Sequence, residues 1–247
     1  MKSQEADKQS QQPSTDRDRA RNGPDRGVVP RSGAEQGMTL RRAVLFGVPA
    51  LYIALGLMHP TTNPGVGDES AVFIGLHIVQ LFLVGGLAVM MWMLVSDLDN
   101  TAAKVTRVLI LPFVIAYTAL DAILGIAWGI VAAKANQLPA ADQAAAGRLV
   151  DELLATDPLG MILYWGASLL WLTVAVAAVV ALRKTAPGPA LALIAVGALA
   201  FATGHARPVG PIGMGLILAG IGWLELRPHE PRTGGVPAAH RQLAARP

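Results

Sequence analysis

The sequence predicts an all-α integral membrane protein, a bundle of six transmembrane helices with both termini in the cytoplasm. Three observations carry that prediction. Of the 247 residues, 53% are apolar and only 15% charged, with a mean hydropathy of +0.45, whereas ordinary soluble domains carry roughly 25% charged residues. After a polar stretch of 42 residues the apolar residues gather into six runs. The Lys and Arg residues then alternate from one side of those runs to the other, in the manner of the positive-inside rule.

Residues 1–42 are rich in Gln, Ser, Asp, Arg, Pro and Gly. They lack the apolar surface needed to offset chain entropy and are read as a disordered cytoplasmic tail. Arg41-Arg42 followed by Ala43 to Met58 has the basic flank and apolar run of a signal peptide, even a twin-arginine one. No small-x-small cleavage site follows and further apolar segments do, so this segment is read as an anchor that stays in the membrane.

About 20 residues at 1.5 Å rise cross a hydrocarbon core of roughly 30 Å, which places spans at approximately 42–59, 71–95, 107–132, 159–182, 189–204 and 210–226 within a membrane domain of residues 43–226. The second and third are long enough to tilt. The fifth and sixth are near the lower limit, where a shallow hairpin is the alternative and five spans the runner-up count. Pro112, one turn inside the third segment, and Pro211, in the first turn of the sixth, sit where a missing amide hydrogen is tolerated. Residues 227–247 are read as a flexible cytoplasmic tail.

With the amino terminus inside, the inner regions are the tail, the loop at Lys104 and Arg107, the turn at Arg183 and Lys184, and the carboxyl tail with Arg227, Arg232, Arg241 and Arg246. Together they hold 17 of the 20 Lys and Arg residues. The outer regions keep only Lys134, Arg148 and Arg207, beside Asp68, Glu69, Asp142, Asp151, Glu152 and Asp157. The longest outer loop, about 133–158, contains Ala140 to Leu154 with Leu149, Val150, Leu153 and Leu154 at helical spacing, a short amphipathic helix on the membrane surface. Asp157-Pro158 starts the next span. Gly125 with Gly129, and Gly215 with Ala219, form small-xxx-small pairs that let helices approach closely.

Composition also excludes. The chain has no cysteine, hence no disulfide, thiolate nucleophile, cysteine-ligated cluster or cysteine zinc site. A net charge of +3 does not suggest nucleic acid. No glycine-rich phosphate loop is present, because the glycines from Gly210 to Gly222 lie in an apolar run without a following Lys-Ser or Lys-Thr. There is no GxSxG elbow, and Ser168 matches the depth of His77 only approximately, too loosely for intramembrane serine catalysis. With these templates missing, a non-enzymatic reading leads.

The polar groups inside the spans are few. Placing Asp at the bilayer centre costs on the order of 2.5–3.5 kcal/mol on insertion scales, so such a residue needs a partner or a purpose. Asp121 is the only such acid, near the middle of the third span with Tyr117, Thr118 and Gly125 on adjacent turns. His77 lies about 9 Å below the outer boundary by helix rise; Gln80 is one turn deeper, and Ser168 falls near the same depth. Gln80, Asp121 and Ser168 thus form one polar layer with His77 above it. Two functions fit this layer. It holds the helices in register by hydrogen bonds, or Asp121 and His77 line a polar cavity that binds a small solute or cation or passes a proton.

A third reading comes from His59, His77 and His205, all toward the outer face, where neutral imidazoles from different helices suit haem iron, zinc or copper. His229 and His240 belong to the carboxyl tail. Trp92, Trp128, Trp165, Trp171, Trp223 and Tyr164 fall toward span ends, as an interfacial aromatic belt requires.

The run Gly56-Leu57-Met58-His59-Pro60 at the end of the first span, a histidine early in the second, and an Ala/Gly-rich bundle favouring Arg over Lys resemble uncharacterised multi-pass membrane proteins of high-GC actinobacteria over roughly residues 43–226. That resemblance implies a plasma (inner) membrane location and supplies no catalytic residue. The leading functional expectation is a membrane protein that binds or moves a small solute or ion at Asp121, His77, Gln80 and Ser168, with no cofactor. The alternatives are a haem- or metal-bearing oxidoreductase subunit using His77 with His59 or His205, and a structural subunit that meets a membrane protein partner through Gly125 and Gly129.

Overall fold

The computed structural model describes residues 33–60, 69–155, 157–206 and 208–226. Most of the amino-terminal tail, Asp68, Arg207 and the carboxyl tail with His229 and His240 lie outside the described residues. Backbone contacts group Met1–Gly37 apart from Met38–Pro247, and the described part of the first group is the opening of the first helix.

Every described element is helical: α1 Gly33–Met58, α2 Ser70–Val95, α3 Thr101–Leu120, a π-helical stretch Asp121–Ala127, α4 Trp128–Ala135, α5 Ala140–Ala155, α6 Pro158–Leu182, α7 Gly188–Thr203 and α8 Val209–Glu225. Helix α1 begins at Gly33, so the last ten residues of the stretch read as tail are helical, and it continues through Pro49. The third segment is longer than hydropathy suggested. It runs unbroken from Thr101 to Ala135 through α3, the π stretch and α4.

Four helical segments are long and apolar enough to cross a membrane: Gly37–Met58, Ser70–Val95, Thr101–Ala135 and Pro158–Leu182. Helices α7 and α8 have 16 and 17 residues, about 24 and 26 Å at 1.5 Å per residue. Both fall short of the roughly 30 Å core.

Helix boundaries follow local chemistry. The Asn100 side chain accepts from the Ala103 N–H to cap α3, and its amide donates to the Ala181 carbonyl on α6. Asp157 caps α6 by accepting from the Leu159 and Gly160 N–H groups, with Pro158 in the first turn, where its missing N–H is harmless. At the same end as the α3 cap, Arg107 donates to the carbonyls of Val95, Ser96 and Leu98 that close α2. Arg41 bridges the Met93 carbonyl and Glu225, the latter at 2.9 Å.

Packing separates a lipid face from a core. Phe82, Val108, Leu111, Ile115 and Ile162 are each more than 60% exposed, apolar surface too extensive for water and suited to lipid contact. Helices α7 and α8 pack backbone to backbone, because a Cβ on Gly197 would stand 2.5 Å from the Gly213 carbonyl oxygen. Gly215, expected to make such a contact with Ala219, instead faces open space. Two tryptophans also depart from the expected belt. Trp171 is fully buried with its indole N–H donating to the Ala198 carbonyl, and Trp128 is 2% exposed against Phe73. Trp92, Trp165 and Trp223 are exposed as a belt requires. Of the apolar side chains expected along α5, Leu149 is described and is exposed.

Candidate metal centre

Up-and-down order brings the end of α1, the start of α2, the π stretch and the α7–α8 connection to one end of the bundle. His59 follows the last residue of α1, His77 lies two turns into α2, and His205 sits in the α7–α8 connection. Glycines allow the close approach. A Cβ on Gly56 would stand 2.8 Å from Pro211 Cγ and 3.3 Å from the His205 carbonyl oxygen, and one on Gly125 would collide with the His77 ring.

The three histidines converge. Each offers a ring nitrogen, and these nitrogens all lie within 4.8 Å of one another. Ring centroids are 5.3 Å apart for His59–His77, 5.4 Å for His59–His205 and 5.9 Å for His77–His205, with near-perpendicular planes. Nδ1–H of His77 donates to the Phe73 carbonyl at 2.8 Å, and Nδ1–H of His59 to the Pro60 carbonyl at 2.9 Å. Those tautomers put each lone pair on Nε2, the arrangement by which a backbone carbonyl orients a ligating imidazole. Burial, and then the neighbouring His59 and His77 rings, lower the His205 pKa from the ordinary imidazole value to about 3. Its imidazole is therefore neutral at physiological pH, the form that binds metal.

Asp121 opens the π-helical stretch. The Trp128 N–H reaches back to the Ile123 carbonyl, the wider i→i+5 turn that often marks functional positions in long helices. Its carboxylate is 1% exposed and neither oxygen has a hydrogen-bond partner. It lines a cavity of about 200 Å³ together with His59, His77, His205, Trp128 and Tyr164. Gln80 borders an adjoining space with Tyr52, His59 and His205, so the structure brings His77, Asp121 and Gln80 into one neighbourhood. Ser168 is buried on α6 but lines neither space. The expected layer of Gln80, Asp121 and Ser168 therefore lacks its third member here.

A cluster of buried rings includes Tyr52, which borders the adjoining space. Tyr52 and Trp171 both pack edge-on against Phe201, at 5.4 and 5.6 Å, while Phe113 lies 5.5 Å from Trp171 and Tyr117 stacks on Phe201. All five are at most 3% exposed. Tyr52 and Tyr117 lie within electrostatic range of the Asp121 carboxylate, and the Tyr52 hydroxyl has no hydrogen-bond partner. Tyr52 was not singled out from the sequence, although it precedes His59 by two helical turns and so shares its face.

Against protein-family models, curated proteins and solved structures, the chain has no match. Its chemistry is read from the side chains. Three imidazoles and no thiolate suit zinc, copper, nickel or iron. Tetrahedral zinc with Zn–N bonds of about 2.0–2.1 Å sets its nitrogens about 3.4 Å apart, a modest closing of the arrangement present. The cavity of about 200 Å³ is smaller than the roughly 300–1,000 Å³ of ordinary ligand pockets, which favours a bare ion over haem.

Proposed function

We propose that this chain is a six-span plasma-membrane protein, with both termini cytoplasmic, that binds one divalent first-row transition-metal ion from the outer side through His59, His77 and His205. The observation that carries this reading is the convergence of three imidazole nitrogens from three separate elements, two of them oriented by backbone carbonyls. The surroundings favour a cation. Among the described residues at this end, Glu69, Asp142, Glu152 and Asp157 outnumber Lys134 and Arg148, and an acidic rim raises the local cation concentration.

The earlier expectation of a small ion bound near His77 and Asp121 becomes specific in this form. The structural-subunit reading loses its contact face. Gly125 and Gly129 are occupied within the chain, against His77 on one turn and Phe73 and Ile74 on the next.

Equilibrium dialysis of the purified full-length protein against Zn²⁺ tests the reading. One equivalent is expected to remain bound in wild type and none in a protein with all three histidines replaced by alanine. Equal zinc retention by both would overturn it. Orientation is tested separately by cysteine labelling, which the cysteine-free chain makes simple. In intact cells a membrane-impermeant maleimide is expected to label Ala140→Cys and not Lys104→Cys; the reverse pattern would invert the topology.

A further inference from the structure

We infer that the three-histidine centre is a reactive, hydrolytic one, with a coordination position left open to water and Asp121 placed to take that water's proton. The inference rests on the metal-centre reading above and goes beyond it, since a metal held by protein can equally be structural. Closed structural zinc sites have four protein ligands, whereas catalytic ones have three and keep the fourth position for water or substrate.

The described residues supply three ligands. His59, His77 and His205 form the only described group of histidine and acidic side chains close enough to hold a metal, and Asp121 is not a member of it. Asp121 nevertheless lines the same cavity, buried and without a hydrogen-bond partner on either oxygen. Sharing the cavity without belonging to the ligand group, its carboxylate is assigned to a water on the ion rather than to the ion itself. That placement accounts for an otherwise costly buried group, and the cavity of about 200 Å³ has room for the water and part of a substrate.

The chemistry balances with what the site holds. The metal makes a bound water acidic near neutral pH. Asp121 accepts one proton from that water, and the hydroxide oxygen bonds to the carbonyl carbon of a carboxylic ester. The carbon–oxygen bond to the alcohol then breaks, and the proton on Asp121 passes to the departing alkoxide. Water and ester are consumed, acid and alcohol are formed, and nothing is oxidised or reduced. Phe73, Leu120, Leu124 and Trp128 make most of the remaining wall apolar, beside Tyr164, so the acyl part of the substrate is apolar.

The test uses full-length, zinc-loaded protein in detergent with p-nitrophenyl butyrate. Wild type is expected to hydrolyse it and the His77→Ala protein not to. Asp121→Asn is expected to keep one equivalent of zinc and an unchanged KM while kcat falls about 100-fold or more, the usual worth of a general base, with Asp121→Glu recovering part of the loss. Azide added to the Co²⁺-substituted wild type is expected to change its visible d–d bands by occupying the open position.

Zinc-loaded wild type no faster than His77→Ala, or full activity in Asp121→Asn, would overturn the hydrolytic assignment while leaving the metal centre intact. So would bound cobalt whose spectrum ignores azide, a result that needs no substitution and decides the matter even where Asp121→Asn does not fold. Absence of zinc and cobalt binding would overturn the metal centre and this inference together.

Discussion

Replacing His77 with alanine is expected to weaken zinc binding sharply while the helices remain in place. Even residues one shell beyond the ligands are worth 10–100-fold in metal affinity, so removing a ligand weakens zinc binding by more than about 100-fold. His77 gives the clearest result of the three. It is 3% exposed, its Nδ1 is tied to the Phe73 carbonyl, and it emerges from within a regular helix rather than from a connection. The variant leaves space where an imidazole stood and loses one internal hydrogen bond, a modest perturbation for a helix otherwise held by its apolar face. Zinc affinity measured by competition with a chromophoric chelator, beside helix content from circular dichroism, checks both halves. Unchanged zinc affinity in a folded variant would remove His77 from the centre.

Gly125→Ala damages the same site without touching a ligand. Its Cβ would fall on Cδ2 and Cγ of the His77 ring. The ring cannot retreat easily, because Nδ1 is tied to the Phe73 carbonyl and the Phe73 ring lies 4.2 Å away. Either the π-helical stretch moves off α2 or the imidazole swings away from its two partners. Overpacking of this kind costs about 1–3 kcal/mol, and here it is expected to appear as a lower melting temperature together with weakened zinc binding. Gly215→Ala is the matched comparison. That glycine meets nothing within 4 Å, and alanine is the better helix former, so melting temperature and zinc affinity are expected to hold or rise slightly. Equal behaviour of the two variants would contradict the assigned packing.

The helices were legible because hydropathy and span length report directly on burial in lipid, and because Asp157-Pro158 carries its own start signal. Asp121 and the histidines were legible for the opposite reason, as groups that an apolar segment does not carry without cause. What the sequence does not show is which side of a helix faces a neighbour when every side is apolar. Trp128 and Trp171 illustrate this. Trp128 falls near a span end and Trp171 at the middle of Pro158–Leu182, and packing turns both inward. Gly125 and Gly215 both read as close-contact glycines, and only the first meets a neighbouring side chain. The π-helical stretch at Asp121 has no local signature either. Within it Gly125 packs against the His77 ring, a tertiary contact that propensity does not report. Ser168, placed with Gln80 and Asp121 by span depth alone, is buried but borders neither space.

X-ray absorption at the zinc edge, on protein holding one equivalent of zinc, tests the central claim most directly. The predicted first shell has three nitrogens at about 2.0–2.1 Å, with the outer-shell scattering of three imidazole rings, and one further oxygen. A shell of oxygen alone, or one with fewer than two imidazoles, would contradict a three-histidine metal centre.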